Sequence, residues 1–329
     1  MQDFKKLFEN FSSLKVGVIG DVMLDTYMWG NVDRISPEAP VPIVSLDHKE
    51  YRIGGAGNVA LNCQSLGAQV YILSITGDDN EGILLRELFE ASSIDTSYLA
   101  KSHDRITTSK TRIISRNQQM LRLDAEITRD LTGRDEKTLQ EKVYSFISDM
   151  DPDIIIFEDY NKGVLTARII YEVIELCRQA GVLTTVDPKH KNFFSYQNAD
   201  IFKPNLKEVK QGLNLLIDEV NQPVLQNIHS ELKKILQHDI SLVTLSEKGI
   251  FFQQDNTARV IPSHFRNITD VSGAGDTVIA VASLVYAATK NAHLMAEIAN
   301  IAGGLVCEEV GTVAIDKERL LHECELLLS

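Results

Sequence analysis

Short apolar segments alternate with longer amphipathic segments along most of this chain. The apolar segments have the length and composition of buried strands and lie at residues 16–19, 71–75, 154–157, 183–186 and 242–245. Between them, the spacing of apolar residues favours helices at residues 59–66, 82–89, 166–179 and 225–237. Alternating strands and helices build βαβ units, in which helices cover both faces of a parallel sheet. The sequence therefore predicts an α/β fold with a mainly parallel central sheet.

Two segments, near residues 26–52 and 104–125, break this alternation. Three prolines between residues 37 and 42 exclude a continuous helix in the first segment. The second is rich in Thr, Ile and Arg and contains a turn-like Arg116-Asn117. We interpret both as antiparallel strands of a small β-sheet that forms a lid over the main sheet. The apolar residues of this lid need a cover, so we expect it to form the interface of a homodimer.

Composition excludes several classes of protein. The chain has 329 residues, 44% of them hydrophobic, and a formal net charge of −13 without a Lys/Arg block. A nucleic-acid binder needs a basic surface, whereas a small phosphorylated substrate needs only a few local cations. No run reaches the ~18 apolar residues of a membrane span. We expect a cytoplasmic protein that binds neither nucleic acid nor membrane and forms a single domain over residues 1–329.

Polar clusters follow several of the predicted strands. Gly20-Asp21 comes after the first strand, residues 158–160 follow a middle strand, and residues 187–189 follow the next one. Ligand sites of open α/β sheets lie outside the carboxyl ends of the strands. These clusters therefore mark the edge of the sheet where a functional site is expected.

A glycine-rich turn near the end of the chain is the strongest candidate for chemistry. Asp270 and Asp276 bracket residues 271–275, and an apolar helical stretch follows. Such a turn directs several backbone N–H groups to one point at a helix N-terminus, where a phosphate is favoured. A carboxylate beside that point can accept the proton of an attacking hydroxyl. The structural alternative is an Asp cap before a flexible helix entry, because Gly-x-Gly alone is common.

Two N-terminal motifs can bind a sugar. Gly54, Gly55 and Asn58 precede a helix, where glycines permit close approach to the main chain and the Asn amide offers a donor and an acceptor. Asp21 and Asp25 follow the first strand, where a carboxylate can accept bonds from two sugar hydroxyls. A capped glycine turn and a solvated turn Asp are the structural alternatives, and spacing alone does not choose between them.

Two later motifs can bind a nucleotide and its metal. Asn205 and Glu208 stand three residues apart on one face of a helical turn and offer oxygen ligands suited to Mg²⁺. The alternative for this pair is a capping box. Hydroxyls and amides of the turn with Thr244, Ser246 and Gly249 can hold the polyphosphate or ribose, although an ordinary hairpin has the same pattern.

Taken in order along the chain, these motifs resemble the ribokinase-like (PfkB) family of carbohydrate kinases. The resemblance implies the ribokinase-like three-layer fold, with ATP and Mg²⁺ as cofactors. It also implies Asp276 as the general base, with the amides of Gly273, Ala274 and Gly275 as the anion hole for the transferred phosphoryl group. Asn300 would lie near adenine, and Asp270 would lie on the nucleotide side, where a monovalent cation is a further possibility.

Within that family, residues 20–25, 34–42, 118–124, 159–163 and 186–189 resemble kinases of D-glycero-β-D-manno-heptose 7-phosphate. The resemblance implies a stand-alone kinase of ADP-heptose and lipopolysaccharide biosynthesis, with a separate adenylyltransferase downstream. It implies that the sugar is held by Asp25, Gly54, Gly55 and Asn58; for its 7-phosphate the candidate cations are Arg34, Lys162 and Lys189. Two alternatives stay open, a kinase of another sugar, sugar phosphate or nucleoside, and a non-catalytic sugar-binding protein.

Overall fold

Nine of the described strands form one sheet in this computed structural model, which describes residues 3–116, 118–216 and 219–328. From one edge to the other the order is β13 (Thr257–Ile261), β12 (Ile250–Gln254), β11 (Ile240–Thr244), β10 (Ile201–Phe202), β9 (Leu183–Asp187), β8 (Ile154–Glu158), β1 (Lys15–Gly20), β4 (Gln69–Gly77) and β5 (Leu99–Ser102). The pairs from β11 to β5 are parallel, and β12 is antiparallel to both of its neighbours, β11 and β13.

Helices cover both faces of this sheet because its strands are apolar on both sides. Val16 and Val18 of β1 face one apolar cluster, whereas Ile19 faces the other. One layer contains α1 (Phe4–Asn10), α2 (Ala56–Ser65), α3 (Asn80–Ala91), α8 (Ala274–Thr289), α9 (Ala292–Val306) and α10 (Lys317–Leu327). The opposite layer contains α4 (Gly133–Met150), α5 (Ala167–Ala180), α6 (Leu206–Gly212) and α7 (Gln222–Leu236).

Three short 3₁₀ helices join these elements, at Phe11–Ser13, His190–Asn192 and Ser246–Lys248. The predicted α/β fold with a mainly parallel sheet is thus confirmed, and each predicted strand and helix overlaps an observed one. None of the helices within the described ranges is long and apolar enough to cross a bilayer.

The two segments that break the alternation form a second, smaller sheet. Its order is β3 (Pro42–Gly55), β2 (Val22–Ile35), β6 (Ser109–Ser115) and β7 (Gln118–Ala125). The sheet is mixed and not purely antiparallel, because β2 and β6 run parallel. The separate small sheet is therefore confirmed, while its action as a lid stays a prediction. Asn117, part of the predicted turn, lies outside the described residues.

The small sheet is far more exposed than the main sheet. All residues of β7 are exposed, and Leu121 and Leu123 retain 51% and 53% of their accessible surface. On β2, residues 22–27, which follow β1, are buried, and beyond them only Gly30 is. The buried end of the small sheet therefore adjoins the main sheet, and its far end extends into solvent.

Candidate active site

Asp276 lies buried in the first turn of α8, and two side chains fix both of its carboxylate oxygens. The amide of Asn58, from the first turn of α2, donates to Oδ2 over 2.7 Å. The hydroxyl of Tyr160, from the loop after β8, donates to Oδ1 over 2.8 Å. Three distant parts of the sequence thus meet at one carboxylate.

The surroundings of Asp276 suit a general base. Burial, the largest cause, raises the pKa of its carboxyl to about 6, the hydrogen bond from Asn58 lowers it, and the charge of Asp187 raises it. The hydrogen bond from Tyr160 and the charge of Lys203 lower the pKa further. A base works best when its pKa lies near the operating pH, so this carboxylate is ionised at neutral pH and still accepts a proton readily.

The turn before α8 brings main-chain N–H groups beside this carboxylate. Gly273 has a left-handed φ of +78°, and a Cβ there would lie 2.9 Å from the Asn58 amide nitrogen. Only glycine therefore allows Asn58 to reach the base. The first N–H groups of a helix lack partners inside the helix. The Ala274 N–H donates to the carbonyl of Val271 over 3.3 Å. The predicted anion hole therefore depends on the N–H groups of the neighbouring residues Gly273 and Gly275.

Lys203 adds a buried cation at the same point. Its ammonium lies 2.7 Å from Oδ2 of Asp187, and both side chains are almost inaccessible to solvent. A Cβ on Gly275 would lie 3.7 Å from each of these two atoms. The mouth of α8 therefore combines the positive end of the helix dipole, which favours an anion, with a lysine that is paired to Asp187.

Three buried carboxylates come together beneath this turn. One oxygen each from Glu158, Asp187 and Asp276 lies within 4.8 Å of the others. Neither oxygen of Glu158 has a hydrogen-bond partner, although the residue is fully buried. Burial raises the pKa of Glu158 well above its usual range, and the charges of Asp187 and Asp276 raise it further. Oxygen ligands of this kind suit Mg²⁺, so the cluster fits the divalent ion that the family resemblance implies.

The predicted metal ligands Asn205 and Glu208 form the capping box that was the structural alternative. The Asn205 side chain accepts from the Glu208 N–H over 2.9 Å, and Glu208 Oε2 accepts from the Asn205 N–H over 2.8 Å. Glu208 Oε1 accepts from the ammonium of Lys189 over 2.8 Å. Metal binding by this pair stays a prediction, and direct ligation would compete with these bonds.

The predicted sugar-binding residues cluster where β2 and β3 meet α2. Asp25 is buried, and its Oδ1 accepts from the guanidinium of Arg112 over 2.7 Å. A Cβ on Gly54 would lie 2.5 Å from the other oxygen of Asp25, so a glycine is required beside it. Gly55 caps α2, which carries Asn58 to the base. Of this predicted group, the structure shows Asn58 in direct contact with Asp276.

Of the predicted nucleotide-binding residues, Thr244, Ser246 and Gly249 lie at the end of β11. Thr244 ends β11 and bridges to Asn205, and Ser246 and Gly249 form the turn that follows. Asp270 accepts from the N–H of Ser272 and Gly311, over 3.0 and 2.9 Å. Asn300 donates to the Pro262 carbonyl over 2.8 Å. These contacts give each residue a structural role, and their contacts to a nucleotide stay predictions.

The three cations suggested for the sugar phosphate do not come together. Lys162 and Lys189 both lie in loops at the carboxyl edge, where they pair with Glu126 and Glu208. Arg34 is exposed on β2, nine residues beyond Asp25. At ~3.3 Å per residue it lies roughly 30 Å from Asp25, too far to share one sugar with it in the same chain.

Several residues of the site were not chosen from the sequence. The sequence indicated only that polar clusters follow the strands, and these clusters contain Glu158, Tyr160 and Asp187. It marked Lys203 only as the residue before Pro204. The pairing of β8 with β1 and β9 brings them together. Glu158 and Asp187 are register partners, so their side chains leave the sheet on the same face.

Comparison with known proteins identifies the class to which this fold and site belong. The model of the pfkB family of carbohydrate kinases matches residues 13–319, and the chain belongs to this family. It is therefore a sugar kinase, a phosphotransferase.

Among individual relatives, the bifunctional protein HldE of Citrifermentans bemidjiense is 37% identical over 323 residues, 98% of this chain and 66% of that protein. The HldE of Helicobacter hepaticus is 36% identical over 310 residues, 94% of this chain and 64% of that protein. The chain thus spans slightly less than two thirds of the length of these relatives.

Solved structures show the same fold at low sequence identity. Escherichia coli phosphofructokinase-2 in complex with substrates and products matches with a TM-score of 0.78 at 16% identity, over 96% of this chain and 100% of that chain. Arabidopsis thaliana ribokinase complexed with ribose and ATP matches with a TM-score of 0.72 at 17% identity, over 94% and 98% of the two chains. The predicted ribokinase-like architecture is confirmed.

Proposed function

We propose that this kinase transfers the γ-phosphoryl group of ATP to the anomeric hydroxyl of D-glycero-β-D-manno-heptose 7-phosphate. Its product would be the 1,7-bisphosphate, an intermediate of ADP-heptose and lipopolysaccharide biosynthesis in the cytoplasm. Two observations support the choice of sugar, the heptose-kinase motifs in the sequence and the similarity to proteins named HldE. A separate adenylyltransferase would then act on the product.

The observation that carries the proposal is the carboxylate of Asp276, fixed beside the N-terminus of α8. The anomeric hydroxyl transfers its proton to Asp276 while its oxygen forms a bond to the γ-phosphorus. The bond between that phosphorus and the bridging oxygen of ADP breaks, and ADP leaves with the electron pair. Asn58 and Tyr160 each occupy one carboxylate oxygen, but a carboxylate oxygen has a second lone pair that can accept the sugar proton.

The residues around the turn stabilise charge on the transferred group. Phosphoryl transfer depends mainly on positioning and electrostatic stabilisation. The N–H groups at the mouth of α8 and the ammonium of Lys203 face the point where that charge develops. Mg²⁺, when bound, neutralises phosphate oxygens of ATP, and Glu158 and Asp187 are the residues here that would hold it. Asp25, Gly54, Gly55 and Asn58 orient the sugar.

Two further proposals concern assembly and ions. We infer that the chain forms a homodimer through the small sheet, because the strands of that sheet expose the large apolar residues Ile35, Leu46, Leu121 and Leu123. A monovalent cation near Asp270 stays a prediction. One structural neighbour is an Escherichia coli phosphofructokinase-2 in complex with potassium, at 16% identity.

Product analysis tests the reaction directly. The enzyme is incubated with MgATP and heptose 7-phosphate, and in parallel with fructose 6-phosphate, ribose and adenosine. Mass spectrometry and ³¹P NMR should show a heptose bisphosphate with one anomeric phosphate, and little turnover of the other acceptors. Preferential turnover of another acceptor would replace the heptose assignment by that substrate. No ATP-dependent product with any acceptor would contradict kinase activity altogether.

A further inference from the structure

A lysine of the small sheet, Lys110, lies beside the sugar site. It is on β6 and is the register partner of Asp25 on β2. Arg112, two residues further along the same face of β6, donates to Asp25. Lys110 is half-buried, so its ammonium is only partly hydrated. None of the sequence motifs pointed to it.

Lys110 is connected to the base through one aromatic ring. Its ammonium lies 5.5 Å from the centre of the Tyr160 ring, and the hydroxyl of that ring donates to Asp276. A second ammonium, that of Lys189, lies 5.4 Å from the same ring centre. The Tyr160 ring therefore lies between Asp276 and Lys110 and contacts both. The distance from Asp276 to Lys110 is thus comparable to the length of a sugar phosphate, measured from its anomeric oxygen to its phosphate.

The neighbouring cations are each neutralised by a carboxylate, but Lys110 is not. Ion pairs of 2.7 to 2.8 Å join Arg112 to Asp25, Lys162 to Glu126, Lys189 to Glu208 and Lys203 to Asp187. Within the described parts of the chain, no carboxylate oxygen lies within ion-pair distance of the Lys110 ammonium.

This arrangement leaves the Lys110 ammonium without a direct ion-pair partner beside the proposed sugar site. Burial, the largest cause, lowers the pKa of Lys110; the charges of Asp25 and Asp124 raise it, and those of Lys162 and Arg112 lower it. A bound anion would remove this repulsion and supply the missing hydrogen bonds. A solvated lysine packed on a tyrosine ring is the ordinary alternative, and it predicts no dependence on a substrate phosphate.

We propose that Lys110 binds the phosphate monoester at the end of the sugar opposite the anomeric hydroxyl. The identity of that sugar rests on the proposed function, whereas the anion site rests on the unpaired ammonium. Through this contact Lys110 selects phosphorylated over unphosphorylated sugars. It is a substrate-binding residue and takes no part in proton transfer.

Kinetic measurements that combine two variants of Lys110 with two substrates test the proposal. Lys110→Met and Lys110→Arg are assayed with heptose 7-phosphate and with the unphosphorylated heptose. With the phosphorylated sugar, Lys110→Met should raise KM about 10- to 100-fold, the range of a hydrogen bond between charged groups, with kcat within about threefold. Lys110→Arg should recover most of the affinity. With the unphosphorylated sugar, kcat/KM of Lys110→Met should equal that of the wild type within about twofold.

The matched control is Lys137→Met, because Lys137 is an exposed lysine on α4 with only a surface pair to Glu141. It should behave as wild type with both sugars. An equal loss with both sugars in Lys110→Met would mean a structural or catalytic role, and no loss with either would mean a solvated lysine. Either result overturns the proposal.

A binding measurement separates this proposal from the proposed function. Inorganic phosphate is titrated by ³¹P NMR onto enzyme saturated with a non-hydrolysable ATP analogue, which occupies the anion hole at α8. Phosphate should bind the wild type and bind Lys110→Met about tenfold or more weakly. If heptose 7-phosphate is not turned over but this difference is found, the sugar assignment fails and the anion site stands. If phosphate binds both proteins equally, the anion site fails whatever the sugar.

Discussion

The two sheets of this kinase contribute different things to one site. The main sheet is buried on both faces, and its carboxyl edge and the adjoining helix ends supply the base, its hydrogen-bond donors and the acidic cluster. The small sheet is exposed over much of its length and supplies Asp25, Arg112 and Lys110, which lie at the proposed sugar site. The difference indicates that the proposed chemistry lies mainly in the buried part of the fold, whereas the proposed sugar site also includes the half-buried Arg112 and Lys110.

The largest expected effect is at the main sheet. Asp276→Asn keeps the size of the side chain but removes the proton acceptor, so kcat should fall about 10²- to 10⁴-fold. Binding of ATP, followed by calorimetry, should change little, because the turn and α8 are intact. Asp149→Asn, an exposed Asp near the end of α4, is the matched control. Near-wild-type turnover of Asp276→Asn would remove Asp276 from its role.

Tyr160→Phe should have the next largest effect. Loss of a hydrogen bond to a charged group lowers kcat by about tenfold or more. That bond lowers the pKa of Asp276, which stands at about 6, and activity needs the ionised carboxylate. Wild-type kcat/KM should therefore fall below about pH 6, and in the variant this fall should begin at higher pH. A pH–rate profile measures both, and an unshifted profile would mean that Tyr160 does not act on the base.

Glu158→Gln should affect the metal requirement. Removal of one of the buried carboxylates that fit Mg²⁺ should raise the Mg²⁺ concentration for half-maximal activity by about tenfold. Binding of Mn²⁺, followed by electron paramagnetic resonance, should weaken in parallel. Glu208→Ala and Asn205→Ala are the comparison, since the sequence assigned the metal to them. If only those two variants change the metal titration, the ion belongs to the capping box at α6.

The smallest effect on turnover is expected at the small sheet. Leu121→Asp places a charge on its exposed apolar face, so a dimer that uses this face should dissociate at least tenfold more readily. Sedimentation velocity follows the change, while kcat should stay within about twofold. Tyr171→Asp, at an exposed apolar residue of α5, is the control. A monomeric wild type, or a dimer that both variants leave intact, would contradict assembly through this face.

The same contrast between the sheets explains what the sequence could predict. The strands of the main sheet are short apolar runs, and the turn at Gly273 begins a helix with a local signature, so both were predictable. Glu158 and Lys203 were not, because their proximity depends on the order of strands and not on neighbours in sequence. Arg34 shows the converse case, since its motif resembles a substrate site but β2 carries it away from Asp25 of the same chain.

The central claim is that the terminal phosphoryl group of ATP and the anomeric hydroxyl of the sugar meet at Asp276. A crystal structure with a non-hydrolysable ATP analogue and heptose 7-phosphate measures this directly. The account predicts the γ-phosphate at the N–H groups that open α8, with the anomeric oxygen between it and the Asp276 carboxylate. A γ-phosphate or an anomeric oxygen bound away from this turn would contradict it.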